Sequence, residues 1–213
     1  MYALLNQNID LLCSNIEPAR DIRPYVQLTE TLRKVDVSAD RDFQRTYRKY
    51  WQLNAALLGN QFVGAYFTYF EELKQANDVT LERVVRDLFE VPTHGDGRQS
   101  LQFSFASKMV HMLRPRLPLY DSMVEAFFFL PLGSPKEKTE VRLQRLLASY
   151  GFLVAEYDRV LREGLLAPAI ATFRARFRVG GDYTDEKIVD TLIWGFVRFV
   201  RAGAIRDRAI LYR

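Results

Sequence analysis

One lysine and one aspartate, Lys108 and Asp121, stand close together in residues 103–124, FSFASKMVHMLRPRLPLYDSMV, and no other part of the chain concentrates reactive groups in this way. An amine can attack an electrophilic carbon and form an imine, but only as the free base. A carboxylate beside it can take the departing proton and offset positive charge on the reacting carbon. Ala106, Met109, Val110 and Leu113 recur at i, i+3, i+4 and i+7, which predicts a helix with one buried stripe. Ser104, Ser107, Lys108 and His111 repeat that spacing on the opposite face, so Lys108 is expected to look outward. Pro115 stops the helix at Arg114. Pro118 closes a short loop, and Asp121-Ser122 stands where a second helix, running through Phe129, needs its N-cap.

These elements set the reach of the two groups. From Lys108 to the helix end the chain travels about 7 to 8 Å, and an extended loop to Asp121 could return two or three times that distance. A shared pocket is within reach, although spacing alone is better served by a surface lysine and a capping aspartate that never meet.

The wording SFASK…RPRLPLYDSMV resembles the active-site segment of the helix-hairpin-helix DNA glycosylases, and is most similar to the 8-oxoguanine-glycosylase-like branch. The resemblance covers about twenty residues. It implies a DNA-glycosylase-like helical fold and a base-excision reaction with β-lyase activity, in which Lys108 attacks the sugar C1′ and Asp121 assists. The chain departs from the family pattern in two places. Leu101, Gln102, Phe103, Ser104, Phe105 and Ala106 carry no glycine where the family's hairpin is glycine-rich, and the interval from lysine to aspartate is short.

On this reading the target nucleotide is flipped out of the duplex. Phe105, Tyr120, Trp51 and His111 are the candidates for the base pocket, with His111 or Arg114 as a neighbouring cation that would favour the neutral amine. Ser104, Arg114, Arg116 and Ser122 are the candidate DNA contacts, aided by the amides heading the Asp121 helix. No metal and no cofactor is expected.

Composition bounds the alternatives. A chain of 213 residues with 48% hydrophobic and 26% charged content fits one globular domain, 1–213, with room for two helical lobes and a cleft near 92–124. Cys13 is the only cysteine, so no internal disulfide or cysteine-cluster metal site is available, and packing is its simplest role. A net charge of +4 carried largely by arginine permits DNA as a partner without requiring it. The opening residues read as an amphipathic helix with no secretion leader, and the most apolar run, residues 126–132, is too short to span a membrane. A cytoplasmic protein is expected, with its oligomeric state open.

Periodicity predicts an all-α chain of about nine to ten helices. A first helix carries Leu5, Ile9, Leu12 and Ile16, and a second covers 25–34. A third runs over 40–58 behind a Ser38 cap, and Gly59-Asn60 ends it. Phe43, Tyr47, Tyr50, Trp51 and Leu57, then Phe62, Tyr66, Tyr69, Phe70 and Leu73, form aromatic stripes whose regular spacing favours core packing over base stacking. Thr80 caps a helix to Glu90. Residues 92–98 form a loop in which His94 and Asp96 make weak metal-ligand candidates. Ser134, Pro135 and Glu137 read as a capping box for a helix ending at Gly151. Further helices carry Phe152 to Leu161, Phe173 with Phe177, and Ile188 to Val200. Arg174, Arg176, Arg178, Arg198, Arg201, Arg206, Arg208 and Arg213 could line a phosphate-tracking surface, against the plainer reading of solubilising charge. Two other functions remain open, a non-catalytic helical DNA-binding module and a protein-interaction module.

Overall fold

The computed structural model describes residues 1–56, 58–134 and 136–203. Among them are eleven α-helices and no strand. They are α1 (Tyr2–Gln7), α2 (Ile9–Ser14), α3 (Arg23–Leu32), α4 (Arg41–Tyr50), α5 (Asn60–Leu73), α6 (Leu81–Phe89) and α7 (Phe103–Leu113), followed by α8 (Ser122–Phe128), α9 (Thr139–Arg162), α10 (Ala167–Phe177) and α11 (Asp185–Arg201). The all-α class follows from the sustained 3.6-residue periodicity. The chain divides into two compact units, 19–114 and 1–18 together with 115–213.

The 19–114 unit is built on the aromatic stripes. Phe43 and Tyr47 of α4 and Phe62, Tyr66, Phe67 and Phe70 of α5 are all buried, and Tyr47 meets Tyr66, Phe67 and Phe70 with ring centroids 5.5 to 6.0 Å apart. Two buried hydroxyls would be costly if left dry and unpaired. They satisfy one another: Tyr66 donates to the carbonyl of Phe105 at 2.9 Å, so Tyr47 is the donor in the 2.7 Å bond between the two hydroxyls. This chain of bonds ties α4 and α5 to α7. The loop at 33–40 is fastened to α5 by Val37 N–H donating to Glu71 (2.7 Å) and by Lys74 donating to Val35 O (2.6 Å). Asp40, rather than Ser38, caps α4 through the amides of Asp42 and Phe43. That helix ends at Tyr50, and a short 3-10 turn, Leu53–Ala56, follows; Leu57 lies outside the described residues. Gly59 precedes α5 instead of closing α4.

In the 1–18/115–213 unit, α1 and α2 are two short helices that meet at Asn8, whose side chain and backbone N–H both donate to Leu4 O, at 2.9 and 3.1 Å. Asn6 clamps the α9–α10 connection, donating to Leu165 O (2.9 Å) and accepting from Ala169 N (3.2 Å). The predicted capping box does not form. Ser134 caps only a turn, Glu137 pairs with Arg145 at 2.9 Å, and α9 begins at Thr139. It then runs unbroken through Gly151, which is exposed and meets no neighbour, to Arg162. An interior glycine costs a helix only about 1 kcal/mol, which the packing of Leu143, Leu146, Tyr150, Leu153 and Tyr157 outweighs.

Candidate active site

Lys108 belongs to the first of these units and Asp121 to the second. Each has its own surroundings.

The expectation that Lys108 looks outward is wrong. Ser107, Lys108 and His111 are all buried, as is the apolar stripe on the other side, because α7 is enclosed on both faces. The helix can afford a polar buried face because its groups find partners close by. Ser107 donates to Ser104 O at 2.9 Å, and the Tyr25 hydroxyl lies 2.9 Å from Nε2 of His111. Nζ of Lys108 donates to the carbonyl of Trp51 at 3.3 Å and sits 4.8 Å from the centroid of the Phe105 ring. Trp51 closes α4, so that carbonyl stands at a helix C-terminus, where partial negative charge gathers. The ring face of Phe105 adds a second attraction for a cation. Tyr25, Tyr50, Trp51 and His111 form one aromatic cluster beside the lysine, with centroid spacings from 4.7 to 6.3 Å.

Asp121 caps α8, with Oδ1 accepting from the amides of Met123 (2.8 Å) and Val124 (3.0 Å), as the sequence predicts. Its charge also reaches a buried polar cluster that sequence reasoning missed. Lys187 and Asp190, one turn apart on α11, form an ion pair of 2.8 Å with both side chains almost fully buried. Thr191 donates to Lys187 O at 2.8 Å, and its hydroxyl lies 2.8 Å from that of Tyr183. Beside them Tyr157 of α9 is buried with no hydrogen-bond partner for its hydroxyl. Burial, then the negative charges of Asp190 and Asp121, push that hydroxyl well above the usual tyrosine range. The only sequence signal was a Lys-x-x-Asp-Thr step that starts at Lys187 and runs into the apolar stretch from Ile188 to Ile193, a pattern that usually marks a solvated face.

The remaining candidates are dispersed. Trp51, Phe105 and His111 are buried in the 19–114 unit, and Tyr120 is buried in the other. Ser104 is half-buried at the start of α7. Arg114 is exposed, yet its guanidinium is spent on the carbonyls of Ala76 (3.3 Å) and Asn77 (2.9 Å). Arg116 and Ser122 are exposed, and Ser122 O accepts from Arg201 at 3.2 Å. Arg174 is bound to Asp185 at 2.6 Å and to Tyr183 O, so it serves the α10–α11 turn. Arg206, Arg208 and Arg213 lie outside the described residues. Asp96 turns back onto the backbone N–H and guanidinium of Arg98, and among the described residues no three His, Cys, Asp or Glu side chains cluster as metal ligands. Cys13 is buried, and that burial pushes its thiol up to about 11. No described helix is long and apolar enough to cross a membrane.

Compared with known proteins, the chain matches no family model, no curated sequence and no solved structure.

Proposed function

We propose that the chain is a DNA base-excision glycosylase with abasic-site lyase activity, in which Lys108 is the nucleophile and Asp121 the proton acceptor. The observation that carries the reading is the burial of Lys108, whose amine lies 4.8 Å from the Phe105 ring centroid and 3.3 Å from the Trp51 carbonyl. Burial away from water disfavours a charged amine and is one way proteins prepare it to attack, whereas the Trp51 carbonyl and the Phe105 ring attract the protonated form, so attack requires the amine to leave those two contacts. The similarity of residues 103–124 to the glycosylase segment supplies the substrate class. In the reaction the amine lone pair forms a bond to C1′ while the bond from C1′ to the base breaks, its electron pair leaving with the base. The role of proton acceptor falls to Asp121 by the resemblance of residues 103–124 alone, and a carboxylate in that role also offsets the positive character of the sugar when the glycosidic bond breaks. Ring opening gives an imine between Lys108 and C1′. Loss of a C2′ proton then expels the 3′-phosphate and cuts the strand.

The test is base release from duplexes carrying a panel of oxidised and alkylated bases. Wild-type protein should release at least one of them, Asp121→Asn should release it at least a hundredfold more slowly with DNA affinity kept, and Lys108→Met should not release it. No release across the panel would overturn the reading.

A second reading follows from the same contact. With its amine already donating to Trp51 O, Lys108 also serves as a strut between α7 and the end of α4, as it would in a helical module that binds DNA or protein without catalysis. Salt dependence separates those two partners. DNA affinity falls linearly in log salt, whereas an apolar protein interface is nearly indifferent.

A further inference from the structure

The turn between α8 and α9 buries Leu130 but holds two other apolar side chains out into water. Phe129 is 82% exposed and Leu132 81%, against 55% for Val141, the next most exposed large apolar residue among those described. Phe129 ends α8 at φ +52° and ψ +41°, left-handed geometry that suits glycine and strains a bulky residue. The fold gains nothing from that ring. Yet the turn itself is firmly built. Arg145 of α9 donates to Pro131 O at 2.8 Å and pairs with Glu137 at 2.9 Å. Gly133 lies so close over this pair that a Cβ there would fall 2.0 Å from Nη2 of Arg145 and 2.3 Å from Oε2 of Glu137. A fastened ledge therefore displays an aromatic ring and a leucine.

The charge around the ledge is one-sided. Residues 129–145 carry four cations, Lys136, Lys138, Arg142 and Arg145, against two carboxylates, Glu137 and Glu140. The Arg145 guanidinium holds the Glu137 carboxyl below its usual range, so that pair is neutralised internally. Lys136, Lys138 and Arg142 are exposed. A planar ring flanked by separated cations is the pairing that unstacked bases and their phosphates require. Two side chains offer far less apolar area than a lipid-binding helix face or a stable protein interface.

We propose that this turn is a nucleic-acid contact, in which Phe129 stacks on bases exposed in a single strand or at an unpaired position, Leu132 packs against them, and Lys136, Lys138 and Arg142 hold the adjoining phosphates. The assignment rests on the DNA reading above but not on its chemistry. The experiment uses the full chain with a fluorescein-labelled single strand, a duplex carrying unpaired 2-aminopurine, and phosphatidylserine vesicles. Phe129→Gly with Leu132→Ser should bind the single strand about tenfold or more weakly and lose the rise in 2-aminopurine fluorescence, with an unchanged salt slope. Phe129→Gly alone should melt at or above the wild-type temperature, because the strained ring is gone. Replacing the three cations by glutamine should flatten the salt slope by about 2. Wild-type binding by the Phe129/Leu132 variant would overturn the proposal while leaving any imine chemistry at Lys108 standing. Ring-dependent DNA binding without abasic-site chemistry would support it and sink the catalytic reading alone. Ring-dependent binding to vesicles but not DNA would overturn it in favour of a lipid surface.

Discussion

Nζ of Lys108 lies 4.8 Å from the centre of the Phe105 ring, three residues earlier on the same helix. Cation and ring meet because i and i+3 share a face of α7, and the same amine donates to the Trp51 carbonyl at 3.3 Å. An amine held in this way is both a tether for α4 and a group poised away from bulk water.

Those two roles separate by substitution. Lys108→Met keeps most of the apolar volume and removes the amine, so the protein should remain folded within about 1 to 2 kcal/mol of wild type in urea titration while losing all imine formation. Unfolding of Lys108→Met would mark the strut as the dominant role.

Asp121 carries a similar double duty. Asp121→Ala removes an N-cap and should cost about 1 kcal/mol, whereas Asp121→Asn keeps an acceptor for the amides of Met123 and Val124 and should cost less. Thermal melts of the two variants measure the cap, and base release measures the carboxylate.

These two residues also mark how far the sequence could be read. Whereas α8 ends at Phe128, one residue before the predicted limit, since Phe129 turns left-handed, the stop before Pro115 and the Asp121 cap were legible because each depends on a residue and its immediate neighbours. The burial of Ser107, Lys108 and His111 was not, since a polar stripe opposite an apolar one looks solvated until the partners of α7 are known. The continuous α9 was hidden for the opposite reason. Gly151 and the Ser134-to-Glu137 pattern gave sound local signals that were overridden by core packing and by Arg145, which draws Glu137 away from any capping role. The Lys187–Asp190 pair left almost no trace, because one helix turn of polar residues reads the same on a surface as in a core.

That buried pair can be examined by a double-mutant cycle. Removing one partner, as in Lys187→Met or Asp190→Leu, leaves an uncompensated buried charge and should cost about 3 to 5 kcal/mol. The double variant should recover most of that loss. Additive costs in denaturant titration would show that the two charges do not act as a pair.

Alkaline stability gives a further check. Tyr47, Tyr66 and Tyr157 have hydroxyls raised above the ordinary tyrosine range, chiefly by burial. Below the unfolded value of about 10 all are neutral in both states and their contribution is fully present. Above it the unfolded chain loses protons first, so stability should fall as pH rises. Tyr66→Phe should cost about 1 to 3 kcal/mol at neutral pH, because the Phe105 carbonyl loses its donor. Tyr157→Phe, which removes a hydroxyl without a partner, should be neutral or stabilising and should blunt the alkaline loss. Stability independent of pH above 10 would contradict the burial of these groups.

The central claim is that the Lys108 amine forms an imine with the sugar. Borohydride reduction during incubation with an oligonucleotide carrying an abasic site converts such an imine into a stable secondary amine, and peptide mapping locates it. The account predicts a covalent protein–DNA band in wild type, with the adduct on Lys108 and no band in Lys108→Met. A band that persists in Lys108→Met, or an adduct mapped to another amine, would contradict it.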